Sequence, residues 1–169
     1  MVATKGVSYP DKELYKYVLI ELEKRNITQY TVGEAAYILQ HKYFPNVSIE
    51  EFGAELPNIL KKREVLNILA TGFALDNLAT EHKLPQPLQL IVENDLGIFG
   101  VDETLAMAIS QLYGSIAQTN YGFADKEKMG LAKKLDNSGS QINTFADDLF
   151  LALVSGVVGR FCHGSALKL

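Results

Sequence analysis

The sequence has a single cysteine, Cys162, which excludes an internal disulfide framework and any cysteine-cluster zinc site. It has no run of about 18 consecutive apolar residues of the kind a membrane span requires. The best stretch, 149–158, is broken by Ser155 and Gly156 and followed by Arg160, and reads as a buried helix. It has no basic excess either: the formal net charge is −4, which argues against a nucleic-acid backbone as the main partner. The opening residues, MVATKGVSYPDKE, contain no apolar signal core, so the cytoplasm is the expected compartment. Walker, G-x-G-x-x-G and G-x-S-x-G motifs are absent, and His41, His82 and His163 lie too far apart to form a ligand pair. All three are expected at the surface. Cys162 stands beside His163, too close to act with it as a nucleophile–base pair on one helix, and is expected to be a buried thiol.

What is present is an ordinary globular composition, 169 residues with 47% hydrophobic and 21% charged, matching one domain. A chain of this length buries about 68–70% of its unfolded surface and needs no covalent staple. Apolar residues recur at helical spacing and no strand pattern occurs, so the expected fold class is all-α. Helices are predicted over 11–25, over 31–39 from a capping-box spacing Thr31…Glu34, and from Ser48…Glu51 onward with a break near Pro57. Further helices are expected over 63–81, 88–92, 102–118, 125–135 and 144–162, with loops at 94–100 and 119–122 and a mobile polar stretch at 136–143. Gly72, Gly156 and Gly159 suggest close helix contacts. The last helix is apolar around most of its circumference, which predicts a bundle with one central helix surrounded by others. The 8 Tyr and 8 Phe are expected mostly in the core.

The acids are unevenly placed. Asp102 and Glu103 open one long apolar helix, Asp147 and Asp148 another, and Asp125 is read as opening the short helix between them, which Asp136 closes. Carboxylates in a first turn complement the helix dipole by about 0.3–1 kcal/mol each, and Asp147 stands three residues after Thr144, a capping position. That structural reading stands beside a chemical one: converging carboxylates make a hard-oxygen site for Mg²⁺ or Mn²⁺. Adjacent acids point apart on a helix, so only one of each pair need face a shared site. Lys126, Lys128, Lys133 and Lys134 form a basic face, either solvated or able to hold a phosphate.

The string Val101-Asp102-Glu103, then Asp125-Lys-Glu-Lys128, Asp136 and Phe145-Ala-Asp147-Asp148 resembles phosphatidylglycerophosphatase A, in the soluble YutG-like branch of that family. The stretch ILATGFALDNL is similar to the family's opening segment. The membrane members carry Pro where Met129 stands and Arg where Gly122 stands. The resemblance implies a Mg²⁺-dependent phosphatase that removes the terminal phosphate of phosphatidylglycerophosphate, and an all-α fold around a central helix. It implies that Asp102, Glu103, Asp125, Asp147 and Asp148 bind metal and that Lys128 neutralises substrate phosphate. Asp148 or Glu103 would accept a proton from the attacking water. Residues 63–162 form the family-like core, and 1–60 read as a helical extension within one domain, 1–169.

The expected substrate is therefore a small phosphorylated molecule, lipid or not, reached without a transmembrane span and with peripheral membrane contact left open. Self-association into a homo-oligomer is expected. Two other readings remain: a non-catalytic interaction or regulatory module that kept the fold, and an all-α nucleotide pyrophosphohydrolase. The latter class places its acids as Glu-x-x-Glu on one helix.

Overall fold

The computed structural model describes residues 6–136, 139 and 141–164, and among these all regular structure is helical. The elements are α1 (Asp11–Lys24), α2 (Gln29–Gln40), α3 (Ile49–Gly53), α4 (Leu56–Ile59), α5 (Arg63–Thr80), α6 (Leu88–Glu93), α7 (Val101–Gln111), α8 (Gly114–Glu127), α9 (Ala132–Asp136) and α10 (Ala146–Gly164).

The most apolar helix takes the centre. Residues 146–159 of α10 are all buried, and α10 packs against α8, α7, α2, α9, α5, α4 and α3, whereas α1 docks on the outside of α5. Each Leu, Val or Phe buried this way contributes about 1.5–3 kcal/mol relative to exposure. Two glycines set the spacing. A Cβ on Gly159 would lie 2.9 Å from both Ala117 Cβ and Tyr113 O, and one on Gly72 would lie 2.5 Å from Leu149 Cδ1. The mid-helix cost of glycine, about 1 kcal/mol, is offset by the approach of α8 and α5 to α10. Among the described residues no helix is long and apolar enough to cross a membrane.

The Ser48 box forms as expected, with Glu51 N–H donating to Ser48 Oγ at 3.2 Å and Ser48 N–H to Glu51 Oε2 at 2.8 Å. Pro57 falls in the first turn of α4, where its missing N–H is harmless. Other expectations need correction. α2 is capped by Thr28, not Thr31, through a reciprocal pair in which Thr31 is the N3 partner. The helix expected over 102–118 is two helices, α7 and α8, because the chain turns at Gly114 with φ +81, a conformation side chains disfavour. Residues 119–122 lie inside α8 rather than in a loop, and the helix expected over 125–135 is divided: α8 runs on through Glu127 and ends at Lys128 in the left-handed region, and α9 starts at Ala132.

Cys162 is only half-buried, since it follows the residues where α10 emerges from its neighbours. The aromatics divide. Phe52, Phe73, Phe145, Phe150, Tyr113 and Tyr121 are core, but Tyr9, Tyr15, Tyr30, Tyr43 and Phe123 are exposed. The three histidines are exposed as expected. The stretch expected to be mobile falls partly outside the described residues, at 137, 138 and 140.

Candidate metal centre

Three helix ends meet at the N-terminal end of α10. Asp102 and Glu103 lie in the first turn of α7, which is entered through Gly100 at φ +64. Asp147 and Asp148 lie in the first turn of α10. Asp125 comes from the last turn of α8, so it sits at the negative end of a helix dipole rather than at the positive end. Lys128 compensates: its Nζ lies 2.7 Å from Asp147 Oδ2, 3.2 Å from Asp125 Oδ1 and 3.4 Å from Asp148 Oδ1.

All six residues line one pocket of about 250 Å³, together with Asp95, Gly97 and Thr144. Both members of each acidic pair reach it, because a pocket at the end of a helix receives side chains from more of its circumference than one along its flank. A second, polar cavity of about 360 Å³ shares Asp95, Thr144 and Asp147 as walls. Lys126, Lys133 and Lys134 stay exposed, so of the expected basic face only Lys128 enters the pocket.

Asp102, Glu103 and Asp148 each offer one oxygen, all within 4.8 Å of one another. Oxygens around an ion held at about 2.0–2.1 Å stand roughly 3 Å apart as neighbours and about 4 Å apart when opposed, so small side-chain movements close this set on a Mg²⁺-sized ion. Buried Asp147 Oδ1 has no hydrogen-bond partner, and buried Asp102 Oδ1 and Glu103 Oε2 have none when ionised, the two side chains meeting each other only by sharing a proton. Buried acceptors normally find one. An all-oxygen, acid-rich set with orphaned acceptors fits a hard divalent cation.

The acids' protonation follows from burial. Asp148 is pushed up to about 9, by desolvation first and then by Asp147 and Asp125, against the pull of Lys128. Asp102 is raised to about 8 by desolvation and by the adjacent Glu103, whereas Glu103, beside the protonated Asp102, is held below its usual range. Asp147 rises only to about 6, since Lys128 opposes its desolvation. Desolvation would lower Lys128, but Asp147, Asp148 and Asp125 together raise it.

Three residues near this site were not singled out by the sequence. Asp95, on the α6–α7 loop, lines both cavities. Tyr121 is buried one turn before Asp125 with an unpartnered hydroxyl, its pKa raised by burial and then by Asp148. Asp76 is fully buried in α5 and accepts the N–H groups of Phe145 and Ala146. The signal for Asp76 was legible: it is the one charged residue in ILATGFALDNL.

Comparison with known proteins bears on the same elements. The uncharacterized proteins YpjQ and YutG of Bacillus subtilis are 40% and 41% identical over 142 and 143 residues, spanning 84% of this chain and 80% and 86% of those proteins. The crystal structure of YpjQ superposes with a TM-score of 0.88 at 38% identity, covering 93% of this chain and 98% of that one. The low temperature requirement C protein from Listeria monocytogenes superposes at 0.86 with 37% identity, covering 90% and 96%. The sequence pattern of phosphatidylglycerophosphatase A matches residues 23–163, a span that takes in every acid of the pocket, and the chain belongs to the phosphatidylglycerophosphatase A family.

Proposed function

We propose that this chain is a divalent-metal-dependent phosphomonoester hydrolase, using Mg²⁺ or Mn²⁺, with phosphatidylglycerophosphate or a smaller phosphorylated molecule as substrate. The observation that carries the reading is the convergence of Asp102, Glu103 and Asp148 oxygens within 4.8 Å beside Lys128. Asp102, Glu103 and Asp148 would hold the cation, with Asp147 and Asp125 contributing from the pocket wall. A bound divalent ion supplies Lewis acidity toward phosphate oxygens and lowers the pKa of water. Lys128 Nζ sits where it can offset charge on the phosphate as the ester bond breaks. Whichever of Asp148 and Glu103 keeps an oxygen clear of the metal accepts the proton of the attacking water. The pocket walls hold the phosphate against that water, beside the buried Asp102, Asp147 and Asp148.

The test is turnover of a phosphate-ester panel, phosphatidylglycerophosphate included, with and without Mg²⁺ or Mn²⁺. Metal-dependent phosphate release that Asp148→Asn abolishes is the expected result; release no faster than in Asp148→Asn contradicts it. One observation favours a second reading: Lys128 already pairs with three acids of the pocket. A non-catalytic module that keeps the fold would use Lys128 as its permanent cation, and would show no saturable metal binding. The pyrophosphohydrolase arrangement finds no support, since these acids come from the ends of three helices.

A further inference from the structure

We infer that Asp76 is a positioning residue for the metal centre: from α5 it caps the start of α10, and so leaves Asp147 and Asp148 free to face the pocket. The inference rests on the metal-dependent function proposed above and adds to it a residue outside the pocket.

The spacing of Thr144 and Asp147 is that of a reciprocal cap, in which the hydroxyl accepts the N–H three residues on and the carboxylate folds back onto the residue-144 amide. Neither half forms that way. Thr144 Oγ1 donates to Val92 O at 2.7 Å, and Asp147 Oδ2 takes Lys128 Nζ at 2.7 Å. The exposed donors of a helix start still need acceptors when buried. Asp76 supplies them: Oδ1 accepts Phe145 N–H at 3.0 Å and Oδ2 accepts Ala146 N–H at 2.9 Å. Two oxygens of one carboxylate on two consecutive amides fix both the height and the rotation of the first turn, whose next two residues are Asp147 and Asp148.

The grip extends along one stripe of α5, at the one-turn spacing that places residues on a common face. One turn before Asp76, Gly72 admits the chain at Phe145 and Leu149. One turn after it, Thr80 Oγ1 accepts Ile142 N–H at 3.0 Å. Gly72 thus holds the entry to α10 by shape, Asp76 by two accepted amides and Thr80 by a third. Outer-shell partners of metal ligands commonly carry about 10–100-fold in metal affinity, and Asp76 acts one peptide further out, through the backbone.

The experiment is calorimetric titration of the full chain with Mn²⁺, comparing wild type, Asp76→Asn and Val18→Ala. Asp76→Asn keeps the shape but turns one acceptor into an NH₂ group facing a peptide N–H. Val18 is a core residue of α1 far along the chain from the pocket residues, and its truncation controls for lost stability alone. Binding weakened about tenfold or more in Asp76→Asn, with wild-type affinity in Val18→Ala, supports the inference. Wild-type affinity in both variants, or equal weakening in both, overturns it while leaving the metal site standing. No saturable binding by wild type overturns the proposed function and this inference together. Should Asp76→Asn be too unstable to titrate, Asp76→Ser, whose hydroxyl can accept one of the two amides, takes its place with the same outcomes.

Discussion

Glu21 and Asp148 are both buried carboxylates, yet their surroundings are opposite. Glu21 accepts Arg25 Nη1 and Lys24 Nζ at 2.6 Å each, and Asn77 Nδ2 at 2.9 Å. Arg25 in turn reaches Asn77 Oδ1 at 2.9 Å and stacks over Phe73, 4.6 Å from the ring centroid. Desolvation works against the charged form of Glu21, but Lys24, Asn77 and Arg25 prevail and hold it below its ordinary value. In the pocket, six carboxylates (Asp95, Asp102, Glu103, Asp125, Asp147, Asp148) surround one lysine, Lys128, which pairs with Asp125, Asp147 and Asp148, and desolvation prevails at Asp102 and Asp148. A buried carboxylate met by two cations and an amide ties α1 to α5 and asks for nothing more. A cluster in which acids outnumber their cations is stable when it holds protons or a further cation, and such displaced titrations gather at functional sites.

The contrast can be broken most forcefully at Asp148. Asp148→Asn removes a ligand oxygen from the metal set and is expected to abolish saturable metal binding and lower turnover by about 10³-fold or more, on the scale seen when groups acting in the transition state are lost. Lys128→Ala is expected to cost about 10²–10³ in kcat, the size of a lost charge-stabilising donor. It is also expected to raise the protonation midpoints of Asp147 and Asp148 further, which carboxyl NMR titration reads directly.

Glu21→Gln tests the cation-matched cluster. It leaves Arg25 buried without its carboxylate and is expected to cost about 3–5 kcal/mol in denaturant unfolding, the usual price of breaking a buried pair. Metal affinity should stay at the wild-type value. If Glu21→Gln weakened metal binding as much as Asp148→Asn, the two clusters would not be separate.

The smallest effect is on pH dependence. Asp102, Asp148 and, outside the pocket, Asp76 have folded-state pKa values raised from 3.8 to about 8, about 9 and about 8, so between those limits the folded protein holds more protons than the unfolded chain. Stability of the metal-free protein therefore falls as pH rises from about 4 to about 9. Saturating Mg²⁺ should remove the part of that slope that comes from Asp102 and Asp148, since the cation replaces their protons, and leave the part that comes from Asp76. A metal-free melting temperature that rises across this range would contradict the assignment.

The fold was legible because α10 advertises itself: a helix apolar on all sides can only be central. Pro57 and Ser48 marked their breaks by local chemistry. What local chemistry hid was decided by tertiary partners. The break at Gly114 follows from packing of the chain on α10, and the Thr144 cap was displaced by Asp76 from 69 residues earlier in the chain. The acids of the site were readable from type and order. Their convergence was not, because Asp125 reaches the pocket from the end of α8 and not from the start of a helix. Charge alone did not tell Lys128 from its exposed neighbours Lys126, Lys133 and Lys134; the family-like spacing Asp125-Lys-Glu-Lys128 did, and in the fold it stands at a left-handed turn.

The central claim is that the unbalanced acids exist to take a divalent cation. It is tested most directly by calorimetric Mg²⁺ titration near pH 7 in two buffers of different ionisation enthalpy. Because metal ligands must be deprotonated to bind, and Asp102 and Asp148 hold protons at that pH in the metal-free protein, the account predicts saturable binding with release of about one to two protons, both lost in Asp148→Asn. Absence of saturable heat, or binding that releases no proton and persists in Asp148→Asn, would contradict it.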